Sequence, residues 1–171
     1  MIVALNGAEM QRRLMLMRHA KSAWQSQAPS DHERPLNKRG RRDAPRVGKR
    51  LVELGWVPDQ VVGSDSRRTQ ETWELMQKHF PEARVRFTRA LYAAGPTELR
   101  SEVARLSAGV RTVLVLGHNP GWENAVKALS GRDVRMTTAN VVLLEAKGAT
   151  WGEALQRGKW SVVGVVRPKE L

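Results

Sequence analysis

Leu14-Met15-Leu16-Met17-Arg18-His19-Ala20-Lys21-Ser22 is the stretch that decides the fold. An unbroken apolar run this short has the length of a buried strand, and the arginine and histidine fall where such a strand gives way to a loop. In open α/β sheets, ligands collect at the carboxyl ends of the strands. A cation and an imidazole are therefore expected side by side at the mouth of a cleft. The pattern recurs far downstream in Thr112-Val113-Leu114-Val115-Leu116-Gly117-His118-Asn119-Pro120-Gly121. Two buried strands, each delivering a histidine at its end, point to one site built from both.

Between and around these strands the pattern alternates. Residues 13–18 read as the first strand, after an N-terminal extension of residues 1–12. Residues 23–37, with Pro29 and Pro35, read as a long loop, and long loops in compact domains are often functional. Ala44, Val47, Leu51 and Leu54 share one face of a helix over 41–54, which Pro45 either kinks or starts. Gln60-Val61-Val62-Gly63 is a short strand, followed by a helix running to about His79. Residues 84–87 alternate as an edge strand, and 97–107 form a helix with Glu98 in its positive first turn. The run 112–116 is apolar without alternation, as a parallel strand covered on both faces should be. A helix carrying Trp122, Val126 and Leu129 then stops at Gly131. Strands at 141–144 and 161–166 close the sheet around a polar, turn-rich insert at 146–160. Strands alternating with helices argue a three-layer α/β/α sandwich around a mostly parallel sheet.

Composition narrows the classes. A chain of 171 residues fits one domain, assigned to 13–171, with a real hydrophobic core. Cysteine is absent, which excludes disulfides and thiolate zinc sites and fits a reducing cytoplasm, the expected location. The apolar runs are too short to cross a bilayer, and the first residues lack a basic leader, so no secretory signal is expected. The net charge is +12, of which residues 12–50 carry +9. Such an excess suits nucleic acid, anionic lipid or a phosphate-bearing substrate; a solvated surface accounts for most of it. That reading covers the run Lys38, Arg39, Arg41, Arg42, Arg46, Lys49 and Arg50, with docking of an acidic phosphoprotein as the rival.

A phosphoryl group needs cationic donors around its oxygens and something to attack phosphorus. Arg18, Arg34 and Arg68 can supply the first, because the planar guanidinium grips two oxygens and keeps its charge. His19, as a neutral imidazole, can supply the second and form a covalent phosphohistidine. Neighbouring arginines should push its pKa down and keep it nucleophilic. His118 would face it across the phosphate as a donor, protonated as negative charge arrives. His32 and His79 read as surface residues, and no pair of the four histidines has helical metal spacing, so no metal is expected.

These residues resemble the histidine phosphatase superfamily, whose signature is a strand followed by Arg-His-Gly or Arg-His-Ala, here Leu16-Met17-Arg18-His19-Ala20. The chain is most similar to the small SixA-type phosphohistidine phosphatases. Arg34-Pro35-Leu36-Asn37-Lys38-Arg39-Gly40 resembles the family's Arg-Pro-Leu loop. Ser64-Asp65-Ser66-Arg67-Arg68-Thr69-Gln70-Glu71-Thr72 resembles its Ser-x-x-x-Arg-x-x-x-Thr helix start, and that spacing selects Arg68 over Arg67. Val115-Leu116-Gly117-His118-Asn119-Pro120-Gly121 resembles the second-histidine segment.

The resemblance implies a phosphoglycerate-mutase-like fold without a large cap insertion. It also implies His19 as phosphate acceptor, a pocket of Arg18, Arg34, Arg68 and His118, and no cofactor. Only about one helix fits between Leu91 and Thr112, so the pocket should be shallow and suit a phosphohistidine-bearing protein, such as a histidine phosphotransfer domain. A small phosphorylated metabolite is the alternative substrate. The alternative class is a non-catalytic phosphate- or nucleic-acid-binding protein, motivated by the +9 segment; that segment lacks the interleaved aromatics of single-strand binders. Glu98 and Glu123 are candidates for a general acid, although both sit where a helix terminus favours an acidic side chain. Trp24 and Trp122 each follow a motif loop and are candidates for the pocket rim. Against that stand two simpler places, the helix core for Trp122 and a loop cap for Trp24.

Overall fold

The computed structural model describes residues 9–157 and 159–171. Its six strands are β1 (Met10–Arg18), β2 (Gln60–Ser64), β3 (Arg84–Thr88), β4 (Thr112–Gly117), β5 (Val141–Gly148) and β6 (Ser161–Val166). They form one sheet in the order β3-β2-β4-β1-β5-β6. Parallel pairing joins β3 to β2, β2 to β4 and β4 to β1. Strand β5 runs antiparallel to both its neighbours. The sheet is mostly parallel, as the alternating pattern implied.

Period-two alternation along β1 splits the core. Leu14 and Leu16 face a cluster with Leu99, Val103, Trp122 and Val126. Met15 and Met17 face the other, with Ala44, Val47, Leu51, Trp73 and Met76. Helices α1 (Lys38–Glu53) and α2 (Arg67–Met76) thus cover one face. Helices α3 (Pro96–Ala104), α4 (Gly121–Ser130) and α5 (Trp151–Arg157) cover the other. Burying both faces explains why the central strands read as continuous apolar runs.

Four boundaries differ from expectation. Strand β1 begins at Met10, because Gln11 and Arg12 pair with Lys147 and Ala146; residues 10–12 are therefore strand and not extension, while residues 1–8 lie outside the described chain. Helix α1 begins at Lys38, because the Asn37 side chain accepts the Gly40 N–H at 2.9 Å; the helix runs through Pro45 instead of starting there. The segment 146–160 is no polar insert. It continues β5 to Gly148 and then forms α5, which buries Trp151, Ala154 and Leu155. Helix α3 ends at Ala104, short of 107.

Candidate active site

Strands β2, β4 and β1 are neighbours, so the residues that follow them converge. The His19 N–H donates to the Gly117 carbonyl at 3.0 Å. The long loop after β1 folds back on itself and onto α2. Ala23 N–H donates to Pro35 O, Arg67 N–H to His32 O, and Leu36 N–H to the Glu71 carboxylate. Thr72 takes the Ala20 N–H at 3.1 Å on its hydroxyl, so the motif threonine fixes the backbone beside His19. Gly40 serves the same packing: a Cβ there would collide with the Lys21 carbonyl. These ties carry Asp31 and Arg34 to the strand ends.

His19 is buried. Its Nδ1 lies 2.7 Å from the Ala20 carbonyl. A carbonyl can only accept, so Nδ1 carries the proton and Nε2 presents a lone pair. That lone pair faces Arg68, whose Nε donates to it at 3.3 Å. Burial holds the His19 pKa well below its ordinary value; the Ala20 carbonyl opposes the shift, and His118, Arg68 and Arg18 add to it. The ring is neutral at pH 7.

His118 stands with its ring centre 5.2 Å from that of His19. Its Nδ1 accepts from Arg68 Nη2 at 3.4 Å, and its Nε2 lies 2.8 Å from the Ser64 hydroxyl. Burial, with Arg68 second, lowers its pKa to about 3. The ring is therefore neutral at pH 7, and an anion beside it would favour its protonated form. Gly117 lets Trp122 close the wall behind it, since a Cβ at 117 would strike the indole.

The three arginines are held differently. Arg68 is buried and also donates to the Asp31 backbone carbonyl (Nη1, 2.7 Å) and carboxylate (Nη2, 3.1 Å). Arg34 is buried, contacts the Ser22 hydroxyl, and reaches Asp31 Oδ1 through Nε at 3.2 Å and Nη2 at 2.9 Å. The Trp24 ring lies 3.8 Å from the Arg34 guanidinium carbon. Arg18 is half-buried and donates from Nη1 to the Met136 carbonyl at 3.0 Å, while its Nε is buried without a partner. A buried guanidinium N–H without a partner is rare in proteins, and such a charged donor suits an anion.

His19, His118 and Arg34 are joined through Arg68 and Asp31, Arg18 directly precedes His19 on the chain, and Arg68 and His118 line an open cleft. Two residues that sequence reasoning passed over join them. Asp31 bridges Arg34, Arg68 and the Tyr92 hydroxyl, which donates to Oδ2 at 2.7 Å. The Tyr92 hydrogen bond, followed by the arginines, holds its carboxyl far below the usual carboxylate range. Tyr92 also stands edge-on to His118, ring centres 5.6 Å apart. The signals were present: Asp31 opens the Arg-Pro-Leu segment, and Tyr92 is the chain's single tyrosine.

The remaining candidates take structural places. Glu98 caps α3 by accepting the Gly95 N–H at 2.8 Å. Glu123 accepts from Asn119 Nδ2 at 2.9 Å and Met136 N–H at 2.7 Å, tying the loop behind Arg18. Trp122 is core and donates to the Val115 carbonyl, whereas Trp24 is 72% exposed at the rim. His32 pairs with Asp65 at 2.7 Å beside Tyr92, and His79 lies half-buried against Gly48. In the basic run, every cation except Lys38 sits within 4.0 Å of Asp43, Glu53 or Glu71, which favours the solvated face over the docking patch. Among the described residues, no cluster of three or more His, Asp or Glu could hold a metal, and no helix is long and apolar enough to cross a membrane.

The geometry has its counterpart among known proteins. Residues 14–93 match the model of the histidine phosphatase superfamily (branch 1). A chloroplast protein of Arabidopsis thaliana is 38% identical over 170 residues, covering 92% of this chain and 78% of its own. The chain belongs to the histidine phosphatase superfamily. The SixA protein of Nakamurella multipartitia superposes with a TM-score of 0.81 at 30% identity, covering 93% of this chain and 97% of that one. The protein histidine phosphatase SixA in complex with tungstate superposes at 0.73 with 21% identity, covering 92% and 98%, which shows the shared fold. Within the superfamily the chain is SixA-like, and its chemistry is that of a phosphatase. One helix, α3, is all that stands between Leu91 and β4, so no large cap covers the pocket.

Proposed function

We propose that the chain is a metal-independent phosphatase that works through a covalent phosphohistidine on His19 and dephosphorylates phosphohistidine on proteins. The observation that carries this is the His19 tautomer. With Nδ1–H spent on Ala20 O, Nε2 is a neutral nucleophile facing the Arg68 guanidinium. The phosphoryl group sits among Arg18, Arg34, Arg68 and His118. Nε2 attacks phosphorus as the bond to the leaving group breaks, and water then attacks the phosphohistidine, releasing phosphate and restoring the imidazole. Arg68 meets both histidines, so it grips the phosphoryl oxygens through the transfer. His118 becomes the better donor as negative charge gathers beside it.

Two observations favour a protein substrate: the uncapped pocket and the likeness to SixA proteins. A histidine phosphotransfer domain is the kind of partner such a pocket admits. A small phosphorylated metabolite is the second reading. A cleft of about 530 Å³ adjoins Arg68 and His118 and has room for one. The catalytic unit is assigned to 13–171 together with 10–12, which complete β1. A reducing compartment such as the cytoplasm suits a cysteine-free chain.

The test is phosphate release from a phosphohistidine-bearing domain, beside p-nitrophenyl phosphate, in EDTA. His19→Ala should abolish turnover of both. Arg68→Ala should lower kcat/KM by roughly 10²–10³, the loss found for one preorganised donor. Near wild-type release by His19→Ala would remove the nucleophile assignment. Dependence on an added divalent ion would remove metal independence. Tight RNA binding at about 150 mM salt with no hydrolysis at all would instead favour the non-catalytic reading.

A further inference from the structure

Asp31 holds a position that phosphate binding must change. Its carboxylate takes Nε and Nη2 of Arg34, Nη2 of Arg68 and the Tyr92 hydroxyl. Those arginine donors are the ones a phosphoryl group needs. The arginines cannot follow the carboxylate elsewhere. Their side chains are 9% and 6% exposed, fixed by Ser22, by the Asp31 carbonyl and by the two histidines, whereas the Asp31 side chain is 52% exposed. When a dianion takes over the guanidinium groups, the carboxylate is the group free to turn. Beside it lies the open cleft that Asp31 lines together with Tyr92, Asn119 and Asn124. The cleft borders Arg68 and His118, so a leaving group on a phosphoryl group held there would face it, and Asp31 is the one carboxylate among its lining residues.

We propose that Asp31 determines the specificity of this site by selecting phosphoryl donors whose leaving group is cationic or offers an N–H, and by rejecting those with a second negative charge beside phosphorus. The proposal rests on the phosphatase reading above and names its substrate class. Phosphohistidine fits it without an added acid. One ring nitrogen of the substrate carries the phosphoryl group, and the other, protonated, donates to Asp31. As Nε2 of His19 bonds to phosphorus, the substrate P–N bond breaks and its electron pair stays on the departing nitrogen. The ring leaves as neutral imidazole with its N–H still on Asp31. His19 becomes the cationic phosphoimidazole, its Nδ1–H still on the Ala20 carbonyl. No proton is transferred in this step, which agrees with Glu98 and Glu123 being spent elsewhere. An arginine-rich pocket lacking Asp31 would have the opposite preference and favour additional negative charge.

The experiment compares kcat/KM for phenyl phosphate, 3-(aminomethyl)phenyl phosphate and 3-carboxyphenyl phosphate. It uses wild type, Asp31→Asn and Tyr92→Phe, the last keeping the charge and removing only its hydroxyl partner. Relative to Asp31→Asn, wild type should favour the ammonium substrate and disfavour the carboxylate one, each by about tenfold or more. Tyr92→Phe should keep the wild-type order. Should Asp31→Asn lower all three values by one common factor, Asp31 only positions the arginines and the proposal is overturned. A wild-type preference for the carboxylate substrate over the ammonium one overturns it as well. If wild type hydrolyses none of the three and no phosphohistidine, the phosphatase reading itself has failed, which is a different result.

Discussion

The two ends of β1 carry the same residue in opposite states. Arg12 and Arg18 lie six positions apart on one strand and, by its period of two, on one face of the sheet. Arg12 is fully buried and donates to four backbone carbonyls, those of Ala108, Val110, Gly148 and Ala149, with its guanidinium against Trp151. Four of its five N–H groups are spent, and the side chain has no exposed surface to offer a ligand. Arg18 makes one such bond and leaves a buried Nε without a partner. Residue type alone therefore does not mark a functional cation here; the share of donors left over does, four of five in Arg18 against one of five in Arg12. The amino-terminal end of the parallel strands closes the fold, and the carboxyl end stays open for chemistry, as the sheet's polarity requires.

This contrast can be broken by exchanging the readouts. Arg18→Ala should lower kcat/KM by roughly 10²–10³ with little change in unfolding midpoint, because it removes a donor held for the phosphoryl group. Arg12→Met should cost about 3–5 kcal/mol in urea denaturation, since it strands buried carbonyls, while turnover per folded molecule is kept. If Arg18→Ala unfolds the chain and Arg12→Met impairs only catalysis, the assignment of the two ends is reversed.

The same contrast explains what was legible in the sequence. The strand-end motifs of β1 and β4 are local, so both histidines and Arg18 could be read from runs of apolar residues ending in polar ones. The spacing from Ser64 to Thr72 is also local, and Thr72 has a visible reason in its bond to the Ala20 N–H. Arg12 was placed in an extension because its partners are carbonyls from segments about 96 and 136 residues away. No composition signal announces them. Helix α5 was missed for a related reason: Gly148, Thr150 and Gly152 read as turns, while the burial of Trp151 depends on contacts with β1 and the 108–110 turn. Asp31 and Tyr92 escaped because their role arises only when the loop closes across α2.

Acid tests the open end at a smaller scale. His118, with a pKa of about 3, and His19, held well below its usual value, are both neutral in the folded chain. Unfolded, each takes up a proton below about pH 6.5. Between those values the unfolded state binds more protons, so stability rises with pH and is lost as pH falls from 6.5 toward 3. His118 contributes a slope of about 1.4 kcal/mol per pH unit within that window, and His19 adds to it in the same direction. Asp31 acts in the same direction but only near and below its unfolded pKa of about 4. Urea titrations from pH 7.5 to 4.5 should therefore show a slope that His118→Gln lowers by about 1.4 kcal/mol per pH unit below about pH 6. A slope unchanged in that variant would mean that His118 is not the neutral, desolvated ring described.

The smallest expected effect concerns Trp24, one of two tryptophans that follow the motif loops, and Trp122 sets its scale. Trp122 is sealed in the core behind Gly117, and Trp122→Ala should cost about 3–5 kcal/mol of stability, like other large aromatic truncations. Trp24 is 72% exposed, yet its ring lies against Arg34, whose charged head is turned inward to Asp31 and Ser22. A cation–π contact at such a site contributes about 0.5–1 kcal/mol. Trp24→Ala should leave the unfolding midpoint nearly unchanged and raise KM about two- to fivefold by loosening one phosphate ligand, with kcat less affected. Trp24→Phe, which keeps a π face, should restore part of the loss. Equal KM values for Trp24→Ala and wild type would mean that Asp31 and Ser22 alone orient Arg34. The exposed ring would then face a partner surface and not the phosphate.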